Sequence, residues 1–150
     1  MSLRYIPEVV SDEICALGEG PVWDAVNQHI LWLDITKGKI HQFNILSKTH
    51  AVFSVGEMIG CIAQRESGGL IAGLENGIAF IDMEKNHIQH IINPEEGLAN
   101  RFNDGKCDAA GRFWAGTMAK SEEENRGSLY VMENDLSVKK VINFTPLLNV

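Results

Sequence analysis

A chain of 150 residues with 45% hydrophobic and 22% charged side chains carries enough apolar material for one ordinary core, which argues against disorder along its length. Its net charge of −7, from 20 acidic against 13 basic side chains with no basic cluster, argues against nucleic acid and against a membrane surface as partners. No apolar run approaches the roughly 18 residues of a membrane helix, and Met1 to Tyr5 lack the basic head and apolar centre of a secretory signal, so a cytoplasmic location is expected.

Short apolar runs separated by turn residues predict strands almost throughout, because glycines break every window in which a helical stripe could run. Pro21-Val22-Trp23 is followed by a turn at Asn27-Gln28-His29, then Ile30 to Asp34. Thr36-Lys37-Gly38 makes the next turn, and Lys39 to Phe43 alternates polar with apolar. This is a meander of antiparallel strands. The order recurs as Gln64 to Gly69, Leu70 to Leu74, Asn76-Gly77 and Ile78 to Asp82. A third copy runs from Cys107 to Arg112, Phe113 to Thr117, and, after a polar loop at Lys120 to Arg126, Gly127 to Met132. Aligning Trp23, Gln64 and Cys107 gives offsets of 41 (64 − 23) and 43 (107 − 64) residues.

Four short strands every ~40–50 residues are the pattern of a β-propeller blade, against the competing reading of a β-sandwich with accidental self-similarity. The fold class expected is therefore all-β. Three blades fill this length, whereas propellers close with roughly four to eight. Three alone leave unpaired edges. Residues 1–150 are accordingly expected to be the N-terminal half of one propeller domain. The stretch Phe144 to Val150, which carries no cap or charged tail, is read the same way. Pairing of two copies is the alternative.

Cys15, Cys61 and Cys107 are an odd number without a Cys-x-x-Cys pair, so free, buried thiols are expected rather than disulfides or structural zinc. His29, His41, His50, His87 and His90 have no metal-ligand spacing and are expected at the surface. Trp23, Trp32 and Trp114 are expected in blade packing. Ser11, Ser54 and Ser67 lack a nucleophile-elbow context.

Two segments place polar groups where an inner strand should begin. In Gly18-Glu19-Gly20-Pro21 the glycines flank one carboxylate, which a hard cation would accept as an oxygen ligand. Within Asn100 to Lys106, Asp104-Gly105 signals a turn but leaves Arg101 and Asn103 unexplained. A guanidinium fork and an amide suit a hydroxylated, carbonyl-bearing ligand. Taken singly, each segment is also compatible with a solvated turn.

Gly-Glu-Gly-Pro-Val-Trp at 18–23 and Arg-Phe-Asn-Asp-Gly-Lys-Cys-Asp-Ala-Ala-Gly-Arg-Phe-Trp-Ala-Gly-Thr-Met at 101–118 together resemble the senescence-marker, gluconolactonase and luciferin-regenerating family. The resemblance covers essentially the whole chain. It implies a six-bladed propeller with one divalent cation (calcium, zinc, magnesium or manganese) on its axis, hydrolysing a sugar lactone. It implies Glu19 as a metal ligand, Arg101 and Asn103 as substrate contacts, and Asp104 as an acidic group beside the site. Some members use a glutamate shortly after Gly-Thr-Met. Here Lys120-Ser121-Glu122 stands there, and Glu122 is the candidate replacement. The family's asparagine and aspartate ligands, the latter the expected general base, are implied to lie beyond Val150, and Asn149 lacks the Asn-Gly context of the former. Alternatives are a non-enzymatic calcium-binding regulator, a related propeller esterase or organophosphate hydrolase, and a plain interaction scaffold.

Overall fold

The structure is a computed structural model that describes residues 6–123 and 126–145, so Asn149 and the rest of 146–150 lie outside the described residues. Three four-stranded antiparallel meanders follow one another along the chain. The first contains β1 (Gly18–Asp24), β2 (His29–Asp34), β3 (Lys39–Asn44) and β4 (His50–Ser54). The second contains β5 (Ile59–Gln64), β6 (Leu70–Leu74), β7 (Gly77–Asp82) and β8 (His87–Ile92). The third contains β9 (Asn100–Cys107), β10 (Phe113–Ala119), β11 (Gly127–Met132) and β12 (Val138–Thr145). There is no helix among the described residues. The second strands start at His29, Leu70 and Phe113, which reproduces the 41-residue (70 − 29) and 43-residue (113 − 70) offsets of the repeat.

An Asp or Asn near a strand end accepts the backbone N–H groups of the turn that follows. Asp24 Oδ1 takes Val26 and Asn27 at 3.1 and 3.0 Å, and Asn44 Oδ1 takes Leu46 and Ser47 at 2.9 and 2.8 Å. Such Asx turns reverse the chain in few residues and leave the strands to pair.

Strand alternation then assigns the faces. Leu31 and Leu33 of β2 with Ile40 of β3 pack onto Ile59, Ile62 and Leu74 of the second blade. A second core lies between the second and third blades, around Cys61, Ile78, Phe102, Phe113 and Tyr130. Every residue of β6 is buried, because the middle blade is covered on both faces. Each fully buried Leu or Ile contributes about 1.5–3 kcal/mol.

Backbone contacts bring the starts of the three inner strands to one end of the molecule. Ile35 N–H donates to Leu17 C=O just before β1 (3.0 Å), and Ile59 N–H at the start of β5 donates to Ile35 C=O (3.2 Å). Gly60 of β5 lies so close to β9 that a Cβ there would stand 2.2 Å from the Phe102 carbonyl oxygen. Glu19, at the start of β1, and Arg101 and Asn103, at the start of β9, therefore share this end.

Trp23 lies with Ile30 and Trp32 on the face of the first blade turned away from the second, where the adjoining blade of a closed propeller packs. Two expectations need correction. His41 is 3% exposed rather than on the surface. Of the cysteines only Cys61 is buried: Cys107 is exposed at the end of β9, and Cys15 is half-buried.

Candidate functional site

Each inner strand carries a β-bulge near its shared end. Glu19 pairs with Leu33 and Val22 with Leu31, so Gly20 and Pro21 stand opposite Trp32 alone. Ile59 pairs with Leu74 and Cys61 with Gly73, which leaves Gly60 extra. Phe102 pairs with Thr117 and Asp104 with Gly116, which leaves Asn103 extra. A bulge re-aims the side chains beside it. Gly20 adopts φ +61°, a left-handed conformation that glycine accepts without strain.

Glu19 precedes the first bulge. Its side chain is exposed and makes no hydrogen bond or ion pair with the described residues. An exposed carboxylate without a partner is an available oxygen ligand for a hard cation. Among the described residues no group of three or more His, Cys, Asp or Glu side chains is placed to hold a metal ion. The donor chemistry at Glu19 thus fits the expected cation as one ligand, and the described residues do not complete the set.

Arg101 is buried, and its Nη1 donates to the Phe102 carbonyl at 2.9 Å and to Asn103 Oδ1 at 3.3 Å. Arginine thereby fixes the orientation of the bulged amide. Burial pushes the guanidinium below its ordinary value, and the negative charges of Glu122 and Glu75 oppose that shift. Glu122 is exposed with φ +61°, and its N–H donates to Ala119 C=O at 3.0 Å. Its place in the structure is as a counter-charge to Arg101. Asp104, half-buried, accepts the Gly105 N–H at 2.8 Å, which ties its carboxylate to the strand beside Asn103.

Two features at this end have no signal in the sequence. Lys120 pairs with Glu75 across 45 residues, and that hydrogen bond holds the Glu75 carboxyl below its usual value. Glu95, only 6% exposed, accepts Tyr130 O–H at 2.8 Å and Asn100 Nδ2–H at 2.6 Å. It thereby pins the connection between the second and third blades to the residue before Arg101. Glu57, Glu75, His90, Asn100 and Lys120 line a groove of about 630 Å³ at this end. The larger groove, about 1060 Å³ and lined by Asp24, Gln64, Arg65 and Asp82, runs to the opposite strand ends, away from Glu19 and Arg101.

Comparison with known proteins follows the same blades. The family described as SMP-30/Gluconolactonase/LRE-like region matches residues 17–149. Pseudomonas putida 6-deoxy-6-sulfogluconolactonase is 34% identical over 140 residues, 87% of this chain and 48% of its own length. Danio rerio regucalcin is 35% identical over 133 residues, 87% of this chain and 45% of its own length. The crystal structure of a calcium-binding protein, regucalcin, from Agrobacterium tumefaciens superposes with a TM-score of 0.84 at 25% identity, covering 91% of this chain and 46% of that one. The chain spans about half the length of the curated relatives it matches. Its three four-stranded sheets are blades, as the repeat predicted, and they are three of the six that the family resemblance implied.

Proposed function

The chain belongs to the SMP-30/gluconolactonase/LRE-like family, and on that footing we propose that the protein these blades form part of hydrolyses a sugar lactone with the help of a divalent cation. The observation that carries this reading is the Arg101–Asn103 pair, locked by a 3.3 Å hydrogen bond into a bulge at the end of the propeller that also bears Glu19, which has no partner among the described residues. The name of the Pseudomonas putida relative, a lactonase, supports it. Residues 1–150 are read as the N-terminal half of the domain, completed by three further blades.

Glu19 acts as one ligand of the cation and not as a base. When bound, the cation supplies Lewis acidity at the lactone carbonyl oxygen. Both contacts of Arg101 described above use Nη1, and the rest of its five-donor fork is directed to the hydroxyl and ring oxygens of the sugar. Asn103, oriented by Arg101, adds an amide contact, and together they hold the carbonyl at a fixed place. Asp104 keeps the bulge in position through Gly105. Hydrolysis adds water across the carbonyl–ring oxygen bond and releases a hydroxy acid. The base that takes the water proton is assigned to a residue beyond this chain.

The test is proton release by the full-length protein on a panel of five- and six-membered sugar lactones, with calcium, zinc, magnesium or manganese added in turn. Ring opening that depends on an added cation supports the proposal. A second reading, a calcium-binding protein without turnover, draws on the relatives named regucalcin. Calcium binding with no ring opening on any lactone would favour it over the first.

A further inference from the structure

The groove between the second and third blades is not used by the proposed lactone contacts, yet it opens at the same end of the molecule. It runs outward from Asn100, on the innermost strand of the third blade, to His90 and Ile92, on the outermost strand of the second. These two blades are neighbours in the ring, so closing the propeller adds no blade between them. The volume of about 630 Å³ lies in the range that holds a small ligand, roughly 300–1,000 Å³.

The walls are fixed in place. A Cβ at Gly77 would stand 2.3 Å from the Ile92 carbonyl oxygen, so the turn between β6 and β7 sits directly against the end of β8. Glu57 ties the same two elements together: its Oε2 accepts the Asn76 N–H at 2.7 Å, and its Oε1 lies 3.3 Å from His90 Nε2. At the inner end Lys120, whose N–H donates to Ala99 C=O at 2.9 Å, pairs with Glu75. Glu75 is also within electrostatic reach of Arg101, so the inner wall of the groove is shared with the lactone site.

The lining is amphipathic. Ile92 and Leu98 are 41% and 57% exposed and form an apolar patch. The side-chain amide of Asn76 and the Nδ2–H groups of Asn93 have no partner among the described residues, whereas Asn93 Oδ1 accepts the Glu95 N–H at 3.1 Å. Amides and carboxylates around an apolar patch match a pyranose ring, which shows C–H groups on its faces and hydroxyl groups around its edge. Charge then selects among sugars. The carboxylates of Glu57, Glu75 and Glu96 outnumber the cations Lys120 and, when protonated, His90, so a phosphorylated, sulfated or uronic sugar is repelled and a neutral one is not.

We propose that this groove is a subsite for a neutral glycosyl group carried by the lactone, which makes a disaccharide lactone the substrate class. The inference rests on the lactonase reading above. In a six-membered sugar lactone one ring carbon lies directly across from the carbonyl. With the carbonyl held near the propeller axis, a glycosyl group on that carbon leads outward past Arg101 and Glu75 into the groove. Asn76 and Asn93 donate to its hydroxyl groups, and Ile92 and Leu98 carry its C–H face.

The test compares, on the full-length protein, hydrolysis of gluconolactone with that of the disaccharide lactones prepared from maltose, cellobiose and lactose. At least one disaccharide lactone should show a KM about tenfold below that of gluconolactone, with kcat alike. Asn76→Trp fills the groove from an exposed position and should remove this advantage while gluconolactone turnover stays unchanged. If that variant loses both activities, Leu98→Ser decides in the same way: a lost advantage upholds the subsite, and a retained one rejects it. Disaccharide lactones with no KM advantage in the wild type, or an advantage that survives in Asn76→Trp, overturn the proposal. NMR titration of the Asn76 and Asn93 side-chain amides with the methyl glycosides of the same disaccharides reads the groove without turnover, and both signals should shift. If no lactone of either kind is opened, the lactonase reading fails, and the amide signals decide the groove alone: shifts uphold a sugar site there, and unmoved signals reject it.

Discussion

Asn103 and Gly60 occupy the same bulge in successive blades, 43 residues apart (103 − 60), and only one of them presents a side chain. The difference has a steric cause. The third blade sets the Phe102 carbonyl against β5 where the Gly60 Cβ would be, 2.2 Å away, so the second blade can hold nothing larger there. The strand that carries Arg101 and Asn103 is thus seated on a glycine.

Gly60→Ala follows from this contact. Backbone stands in the way rather than a flexible side chain, so β9 must move as a unit. The variant should lose about 3 kcal/mol of stability, read as a lower urea midpoint, and the full-length protein should also lose lactone turnover. Wild-type stability would mean that the inner strands are not in this contact.

Asp34 makes a pH-dependent contribution. Burial alone would raise its carboxyl, but the Ala16, Leu17 and Lys37 N–H groups together outweigh burial and hold it below its ordinary value of 3.8. A carboxyl depressed in the folded state stabilises fully above the unfolded value and loses that contribution as pH falls from there toward the folded value. Asp34→Asn should cost about 2 kcal/mol at pH 7 and flatten the fall in urea midpoint below pH 4. An acid limb as steep as that of the wild type would contradict the assignment.

Tyr130 and Glu95 make a separate prediction. The Tyr130 hydroxyl is pushed up by burial and then by its hydrogen bond to the Glu95 carboxylate. Tyr130→Phe removes one donor from a carboxylate that is 6% exposed and should cost about 2 kcal/mol. Hydrogen exchange should accelerate locally across 93–100, the segment that Glu95 ties down through Asn100. Unchanged exchange there would show that the connection is held by other contacts.

Arg101→Lys keeps the charge but loses the planar fork. A lysine cannot hold Asn103 Oδ1 and the Phe102 carbonyl while also reaching a ligand. In the full-length protein, lactone turnover should fall about 100-fold, with the urea midpoint changed far less. Equal turnover would remove Arg101 from the substrate contacts.

The blades were legible because apolar alternation and turn residues such as Asn27, Gly38 and Gly77 recur with the strands they separate. Glu19, Arg101 and Asn103 were singled out by the motifs around them, and their roles stand as the proposal above. The bulges were not, because a bulge is a property of cross-strand register, and Gly20-Pro21, Gly60 and Asn103 share no residue type that marks it. The Lys120–Glu75 pair and the hydrogen bond of Tyr130 to Glu95 were hidden for a related reason. Their partners meet across strands and blades, at separations that no periodicity encodes.

The most direct measurement is isothermal calorimetry of calcium binding, with lactone hydrolysis followed in parallel, on the full-length protein and its Glu19→Gln variant. Removing one charged ligand weakens a hard-cation site. The account predicts that Glu19→Gln loses cation affinity and turnover together, and that the wild type loses turnover when the cation is chelated. A variant that binds calcium and opens lactones as the wild type does would contradict it.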